Sequence, residues 1–175
     1  MYCMRLFAAA LTLALMIAAP AWAGPPLLCH PNDIGSARSL PWLVTESWNG
    51  ADPTYDLSHL TQDTLALLGP QTPVIVRMET IRRAVIYATH RAGLAEDLEQ
   101  ALLARVRATR SQDPNALFDA GYLVETLRDA QRAYPSLPAQ QVDGLALMRE
   151  AQRLGGTGMD QAVAMVEGVM AAPHR

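Results

Sequence analysis

Apolar positions between Thr72 and Gly93 recur at alternating spacings of four and three: Val74, Met78, Ile81, Val85, Ala88 and Ala92. That period lays an apolar stripe along a helix of about 20 residues, ~30 Å long. Its other side carries Arg77, Glu79, Arg82, Arg83, Tyr87, His90 and Arg91. Thr72 predicts an N-cap, with Pro73 in the first turn, where a missing N–H costs nothing. Gly93 suits a left-handed residue at the C-terminus.

Helical period continues on both sides. Upstream, Asp56 predicts a cap for a helix over 57–68, with Leu57, Leu60, Thr64 and Leu67 or Leu68 facing in and Gly69-Pro70 ending it. A connection this short predicts an antiparallel hairpin with the next helix. Downstream, Leu94, Leu98, Leu102 and Val106 form the apolar row of a helix over 94–110. Acidic residues crowd its start and arginines its end, as the helix macrodipole favours. Asp113-Pro114 opens a helix over 114–133 through Leu117, Gly121, Val124 and Leu127. Gly121 predicts close helix–helix approach, since glycine inside a helix is otherwise unfavourable by ~1 kcal/mol. A weaker helix runs from Pro138 or Ala139 to Leu154, with Val142, Leu145 and Met148 in register. The last, capped by Thr157 or Asp160, carries Met159, Ala162, Val163, Val166 and Met170 before Pro173.

The pattern breaks down over 24–56. Pro25, Pro26, Pro31, Pro41 and Pro53 interrupt it, and Asn32-Asp33 and Asn49-Gly50 read as turns. Leu27, Leu28, Leu40, Trp42, Leu43, Trp48 and Tyr55 nevertheless make it richer in large apolar residues than a disordered linker. The segment is expected to lie across the helices, anchored by Trp42 and Trp48.

Residues 1–23 read as a signal peptide. Arg5 precedes an apolar run from Leu6 to Ala19, and Ala21-Trp22-Ala23 places small residues where a signal peptidase reads them. The run is short for a bilayer span, which needs about 20 apolar residues. A periplasmic or secreted location follows as the expectation, with no membrane span after cleavage. The mature chain, 24–175, is expected to be a single folded unit: the irregular segment 24–56, then a helical domain over 57–172 of about six helices.

Composition narrows the partners. All 14 basic residues are Arg, and loss of Arg5 with the leader leaves 13 Arg against 17 acidic residues, a formal −4. That balance argues against nucleic acid or an anionic membrane as partner. Of two cysteines, only Cys29 follows the leader, so the mature chain has no intramolecular disulfide. Approximate echoes, such as Glu79-Thr80-Ile81-Arg82-Arg83-Ala84 against Glu125-Thr126-Leu127-Arg128-Asp129-Ala130, occur at offsets that disagree with one another.

Three sets of residues are candidates for chemistry. Cys29-His30 suggests a single-thioether haem, a zinc site completed by His59 or His90, or a thiol nucleophile. The competing reading buries Cys29 with Leu27 and Leu28. The second set is the helix face with Arg77, Glu79, Arg82, Arg83 and Tyr87: either Arg83, Tyr87 and His90 or Arg91 receive a carboxylate or phosphate, or Glu79 pairs with Arg82 and Arg83 at i+3 and i+4. In the second case they fasten the N-terminal segment, for instance through Asp33 or Glu46. Trp42, Trp48 and Tyr55 form either an aromatic platform or core anchors. Gly155 to Gly158 follows a helix and lacks a following Gly-Lys-Ser/Thr, so it is no phosphate loop. Gly-x-Ser-x-Gly, His-Glu-x-x-His and acidic calcium loops do not occur.

Two stretches, Leu28-Cys29-His30-Pro31 through Ser39-Leu40-Pro41-Trp42 and Arg77-Met78-Glu79-Thr80 through Arg82-Arg83-Ala84, resemble a group of uncharacterised exported bacterial proteins. The resemblance implies no activity or catalytic residue. It does imply that the Cys-His segment and the Arg-Glu helix belong together.

The sequence therefore predicts an all-α protein of stacked antiparallel helical hairpins, solenoid-like in one variant, with an irregular N-terminal segment packed across them. Functionally it predicts an exported binding or scaffold module for a protein or small ligand, with a periplasmic protein as partner and no cofactor. The alternative is a thiol-dependent enzyme, or a haem- or zinc-binding protein, using Cys29 and His30.

Overall fold

A computed structural model describes residues 25–45 and 47–172; the proposed leader, Glu46 and Pro173 lie outside them. The described residues form seven α-helices: α1 (Pro26–Cys29), α2 (Leu60–Leu67), α3 (Val74–Ala88), α4 (Leu94–Ala108), α5 (Pro114–Ala130), α6 (Gly144–Arg153) and α7 (Asp160–Ala171). A 3₁₀ turn, Leu57–His59, leads into α2. Strands are absent from this set; an isolated antiparallel bridge joins Trp42 to Ala51. The protein is all-helical.

Helix α5 is the hub. All its residues but Pro114, Asn115 and Arg128 are buried. It packs against α3, α4, α6 and α1, while α2 covers α3 and α4, and α7 lies on α6. Asp113 starts α5 as its sequence predicts, accepting from the Asn115 N–H, with Pro114 at the first position. Gly121 is where α6 comes closest: a Cβ there would stand 2.5 Å from the Gly144 carbonyl oxygen and 2.7 Å from Met148 Cγ. Leu94, Leu98, Leu102 and Val106 bury the predicted face of α4. The chain folds as a bundle of helical hairpins around α5.

Several predicted boundaries shift, each for a local reason. Thr72 does not cap α3; its hydroxyl donates to the Leu67 carbonyl at 2.8 Å, closing the preceding turn, and Pro73 takes the N-cap position. Helix α3 stops at Ala88, and Gly93, left-handed at φ 87°, introduces α4 instead of ending α3. Helix α6 begins at Gly144 rather than at Pro138 or Ala139, because Asp143 supplies a cap by accepting from the Ala146 N–H. Met159 stands at the N-cap of α7, whose Asp160 instead accepts from Gln152 Nε2. Pro26, expected in irregular chain, initiates the single turn of α1.

Helix α3 is covered further than its two-faced pattern shows: the polar face expected to fasten the N-terminal segment is buried too, and only Val74, Ile75 and Arg83 escape full burial. Arg77, Glu79 and Arg82 are 0–1% exposed. Ala92, counted into the apolar stripe, lies beyond the helix and is exposed. Burial of polar groups on this scale requires partners on every side, and these come from α3 itself, from Asp119 on α5 and from the irregular segments.

Candidate functional site

Residues 31–56, the strap, cross α3 with little regular structure of their own. Backbone groups outside helices and sheets need other partners when covered. One side of α3 supplies them. Glu79 Oε2 accepts from the Asn32 N–H at 2.9 Å. Arg82 Nη1 donates to the carbonyls of Leu28 (2.8 Å) and Trp48 (3.2 Å). Arg83 Nη1 donates to Leu40 O at 2.9 Å, and beyond the end of α3 Arg91 Nη2 donates to the carbonyl of Leu57, just past the strap, at 3.1 Å. The Tyr87 hydroxyl donates to Pro41 O at 2.6 Å and accepts from the Asp52 N–H at 2.9 Å. Ser39 and Thr80 share a hydroxyl–hydroxyl bond of 3.0 Å.

Glu79 holds the arginines in place. Both its oxygens are occupied: Arg82 Nε and Nη2 and Arg83 Nε all donate at 2.8 Å. Burial pushes its carboxyl up, but Arg82, Arg83 and the Asn32 N–H outweigh that and hold it below the ordinary value. The i+3 and i+4 pairing is as the sequence predicts. The expected strap partner is displaced by one residue, however: Asn32 meets Glu79, while Asp33 accepts from the Gly35 N–H within its own turn. Glu46 lies outside the described residues.

The aromatic residues join this network. Trp42 lies 5.0 Å from the Arg82 guanidinium and 5.2 Å from that of Arg83, and meets Tyr87 edge-on at 6.0 Å. Tyr55 leans on Tyr87 at 4.9 Å, and its hydroxyl donates to Asp63 at 2.7 Å. Trp42 and Trp48 are only half-buried, whereas Leu27, Leu28 and Leu40 are fully buried. Aliphatic side chains and backbone hydrogen bonds therefore anchor the segment more than the tryptophans do.

Arg77 does not belong with this group. It points to the corner between α2 and α3, where Nε donates to Thr72 O at 2.9 Å and Nη2 to Gly69 O. Its Nη1 meets Asp119 Oδ2 on α5 at 2.7 Å. Arg105 Nη2 donates to Leu68 O at 3.1 Å, with Nη1 3.6 Å from the same Asp119 oxygen. Asp119 Oδ1 is buried without a donor. Burial accordingly outweighs Arg77 and Arg105, and the Asp119 carboxyl is raised to about 6. A carboxylate in the apolar run Leu117-Phe118-Asp119-Ala120 is a sequence signal for such a buried pair.

Cys29 and His30 diverge. Cys29 is half-buried, not fully buried with its leucine neighbours. Burial and the nearby Asp129 charge raise its thiol pKa, against a smaller opposing effect of Arg82. His30 is exposed, its Nδ1 3.1 Å from Pro26 O. It borders a cleft of about 180 Å³ with Tyr122, Met165 and Val169, below the ~300–1,000 Å³ usual for small-molecule sites. Among the described residues, no three His, Cys, Asp or Glu side chains are grouped to hold a metal ion.

A larger opening lies on the other flank of the strap. A groove of roughly 750 Å³ runs between strap residues Arg38–Pro41 and the α2–α3 corner, Gly69–Pro73. Leu67 and Val76 contribute apolar floor, and Asp63 and Arg38 bring opposite charges. Both walls are held from behind. Arg83 and Tyr87 grip the carbonyls of Leu40 and Pro41, and Arg77 and Arg105 grip those of Leu68, Gly69 and Thr72. Neither the groove nor Asp63 was anticipated from the sequence, because nothing local in Asp63-Thr64-Leu65 says that Tyr55 and the strap will stand opposite.

No helix among the described residues is long and apolar enough to cross a membrane. No family model, curated protein or solved structure matches the chain.

Proposed function

We propose that this protein is an exported helical binding module whose ligand enters the groove between the strap and the α2–α3 corner. One observation carries the reading: an open groove of roughly 750 Å³ whose two irregular walls are each fixed from beneath, the strap by Arg83 and Tyr87 and the corner by Arg77 and Arg105. Irregular chain presented this way is pre-ordered, which reduces the entropy lost on binding. The volume is within the range of small-molecule and peptide-side-chain pockets. Export rests on the leader-like pattern of residues 1–23, and a periplasmic or secreted protein is the natural source of a partner.

The reading based on Cys29 has less behind it. Catalytic thiols are kept as thiolates by positive surroundings, whereas burial and Asp129 oppose ionisation of Cys29.

Peptide-display selection on the purified protein tests the proposal. Peptides enriched on the native protein should lose binding to an Ala66→Trp variant, since Ala66 lines the groove and is exposed, so the larger ring fills the groove with little disturbance of the core. Absence of enrichment, or equal binding to that variant, would overturn the groove as the site.

A further inference from the structure

The chemistry of the groove says more about its occupant, granted the reading just given. Asp63 projects from α2 into a mostly apolar lining and is half-buried. Its one hydrogen-bond partner among the described residues is the Tyr55 hydroxyl, at 2.7 Å on Oδ2, and no cation of that set lies within ion-pair distance. By contrast, Glu79, Asp119, Glu125 and Asp129, the buried acids, all have an arginine beside them. Asp63 is thus a fixed acid in a partly dry setting, still lacking a positive partner. Asp56 adds negative charge on the same side, and with Asp63 it contributes to raising the Tyr55 pKa, mainly a consequence of burial. Arg38 is the opposing charge at the groove; it is exposed on the strap and pairs with neither acid.

The strap wall adds a second feature. Leu40 and Pro41 direct their carbonyls to Arg83 and Tyr87. The backbone N–H groups of Arg38, Ser39 and Leu40, and the carbonyls of Arg38 and Ser39, have no partner among the described residues. Irregular chain with unpaired peptide groups bordering a groove can receive an extended chain, backbone to backbone. Two independent features, an acid without a cation and a stretch of unpaired peptide groups, thus belong to residues lining the same groove.

We infer that the groove binds an extended peptide segment with apolar side chains and one basic residue, the peptide pairing along Arg38–Leu40 while its cation meets Asp63. The apolar side chains would rest on Leu67 and Val76. A charge-assisted bond from the incoming Lys or Arg would use the Asp63 oxygen that Tyr55 leaves open.

Three acetylated and amidated hexapeptides of alternating Val and Ala test this, with Lys, norleucine or Glu at one central position. Binding is read by fluorescence anisotropy at low salt. The Lys peptide should bind about 10-fold more tightly than the norleucine peptide, with Glu weakest, as one charge-assisted bond in a half-dry site allows. Asp63→Asn should abolish that preference, and Tyr55→Phe, which keeps the charge, should retain it. N-methylation of alternate amides of the Lys peptide should weaken it, because the edge pairing needs those N–H groups. Equal binding of all three peptides would overturn the basic requirement while leaving the groove reading intact. Unchanged binding after N-methylation, or full competition by butylamine alone, would overturn the extended peptide. Failure of all three peptides even at millimolar concentration would sink this inference, and only the outcome of the display selection would then decide whether the groove is a site at all.

Discussion

Helix α3 buries one carboxylate–arginine cluster near its middle and takes part in another near its start, and the two differ in how fully the acid is satisfied. Glu79 has four hydrogen-bond donors across its two oxygens. Asp119 has Arg77 on one oxygen, Arg105 at a longer distance, and nothing on the other. Both groups are about equally inaccessible, yet the Glu79 carboxyl is held below its ordinary value and that of Asp119 is raised to about 6. Burial raises both carboxyls, so it accounts for the direction at Asp119 and not for that at Glu79. What decides is the count of donors set against the loss of water. The clusters share a purpose nonetheless, since each directs arginines onto carbonyls of irregular chain, one gripping the strap and the other the α2–α3 corner.

The largest expected effect comes from Arg82→Met. It leaves Glu79 short of two donors and frees the carbonyls of Leu28 and Trp48. Removing one partner of a buried pair typically costs about 3–5 kcal/mol, which urea unfolding would register. Amide exchange should accelerate in the strap more than in α5 and α6. A uniform acceleration would show that the strap is not the element Arg82 holds.

Arg77→Met should cost somewhat less, about 3 kcal/mol at pH 7, and should depend on pH through Asp119. With Arg77 gone, Asp119 can escape its unpaired charge by taking up a proton, so the loss should shrink at pH 5. The native protein carries the same asymmetry. Because the folded pKa of Asp119, about 6, exceeds its ordinary 3.8, its protonation favours the fold, and that contribution falls as pH rises from roughly 4 through 6. Glu79 acts the other way. Its depressed pKa supplies stability above 4.5 that is lost as pH falls through the folded value. Unfolding midpoints measured across pH 3–7 would lose the Asp119 slope in Asp119→Asn; persistence of that slope would break the comparison.

Gly121→Ala provides a reference that touches neither acid. Its Cβ would meet the Gly144 carbonyl oxygen at 2.5 Å, a backbone atom with little freedom to yield. Overpacking of this kind costs about 1–3 kcal/mol, partly offset by the better helix propensity of Ala. Thermal unfolding should show the loss with both pH slopes unchanged. The smallest effect belongs to Tyr87→Phe. It removes the hydroxyl between Pro41 O and the Asp52 N–H and should cost about 1 kcal/mol, with exchange at Asp52 as the local readout.

Much of the fold was legible because it is local. The rows of α4 and α5, the Asp113-Pro114 start and the tight approach at Gly121 depend on residues within a few turns of one another. The pairing of Glu79 with Arg82 and Arg83 was legible for the same reason, being fixed by helical spacing. The charged side of α3 was expected to fasten the N-terminal segment, but the extent of its burial was not legible, because the covering chain lies more than 30 residues upstream and no period along α3 records it. Arg77 was grouped with Arg82 from its position on one helix, although the two meet different segments. The groove was invisible altogether, as its walls come from Arg38–Pro41 and Gly69–Pro73 and exist only as a pair.

By itself, the sequence determined the longer helical stretches, though neither α1 nor every boundary, and which residues can pair within a helix, since both follow from a repeat of 3.6 residues and from short-range caps. Tertiary structure alone decided which charges lose water and which carbonyls they then serve. Those outcomes depend on neighbours distant in the chain, and hydration is a property of the assembled surface. Asp63 states the division most clearly: an ordinary acid on α2 by sequence, it becomes the unpaired charge in an apolar groove only once the strap has crossed α3.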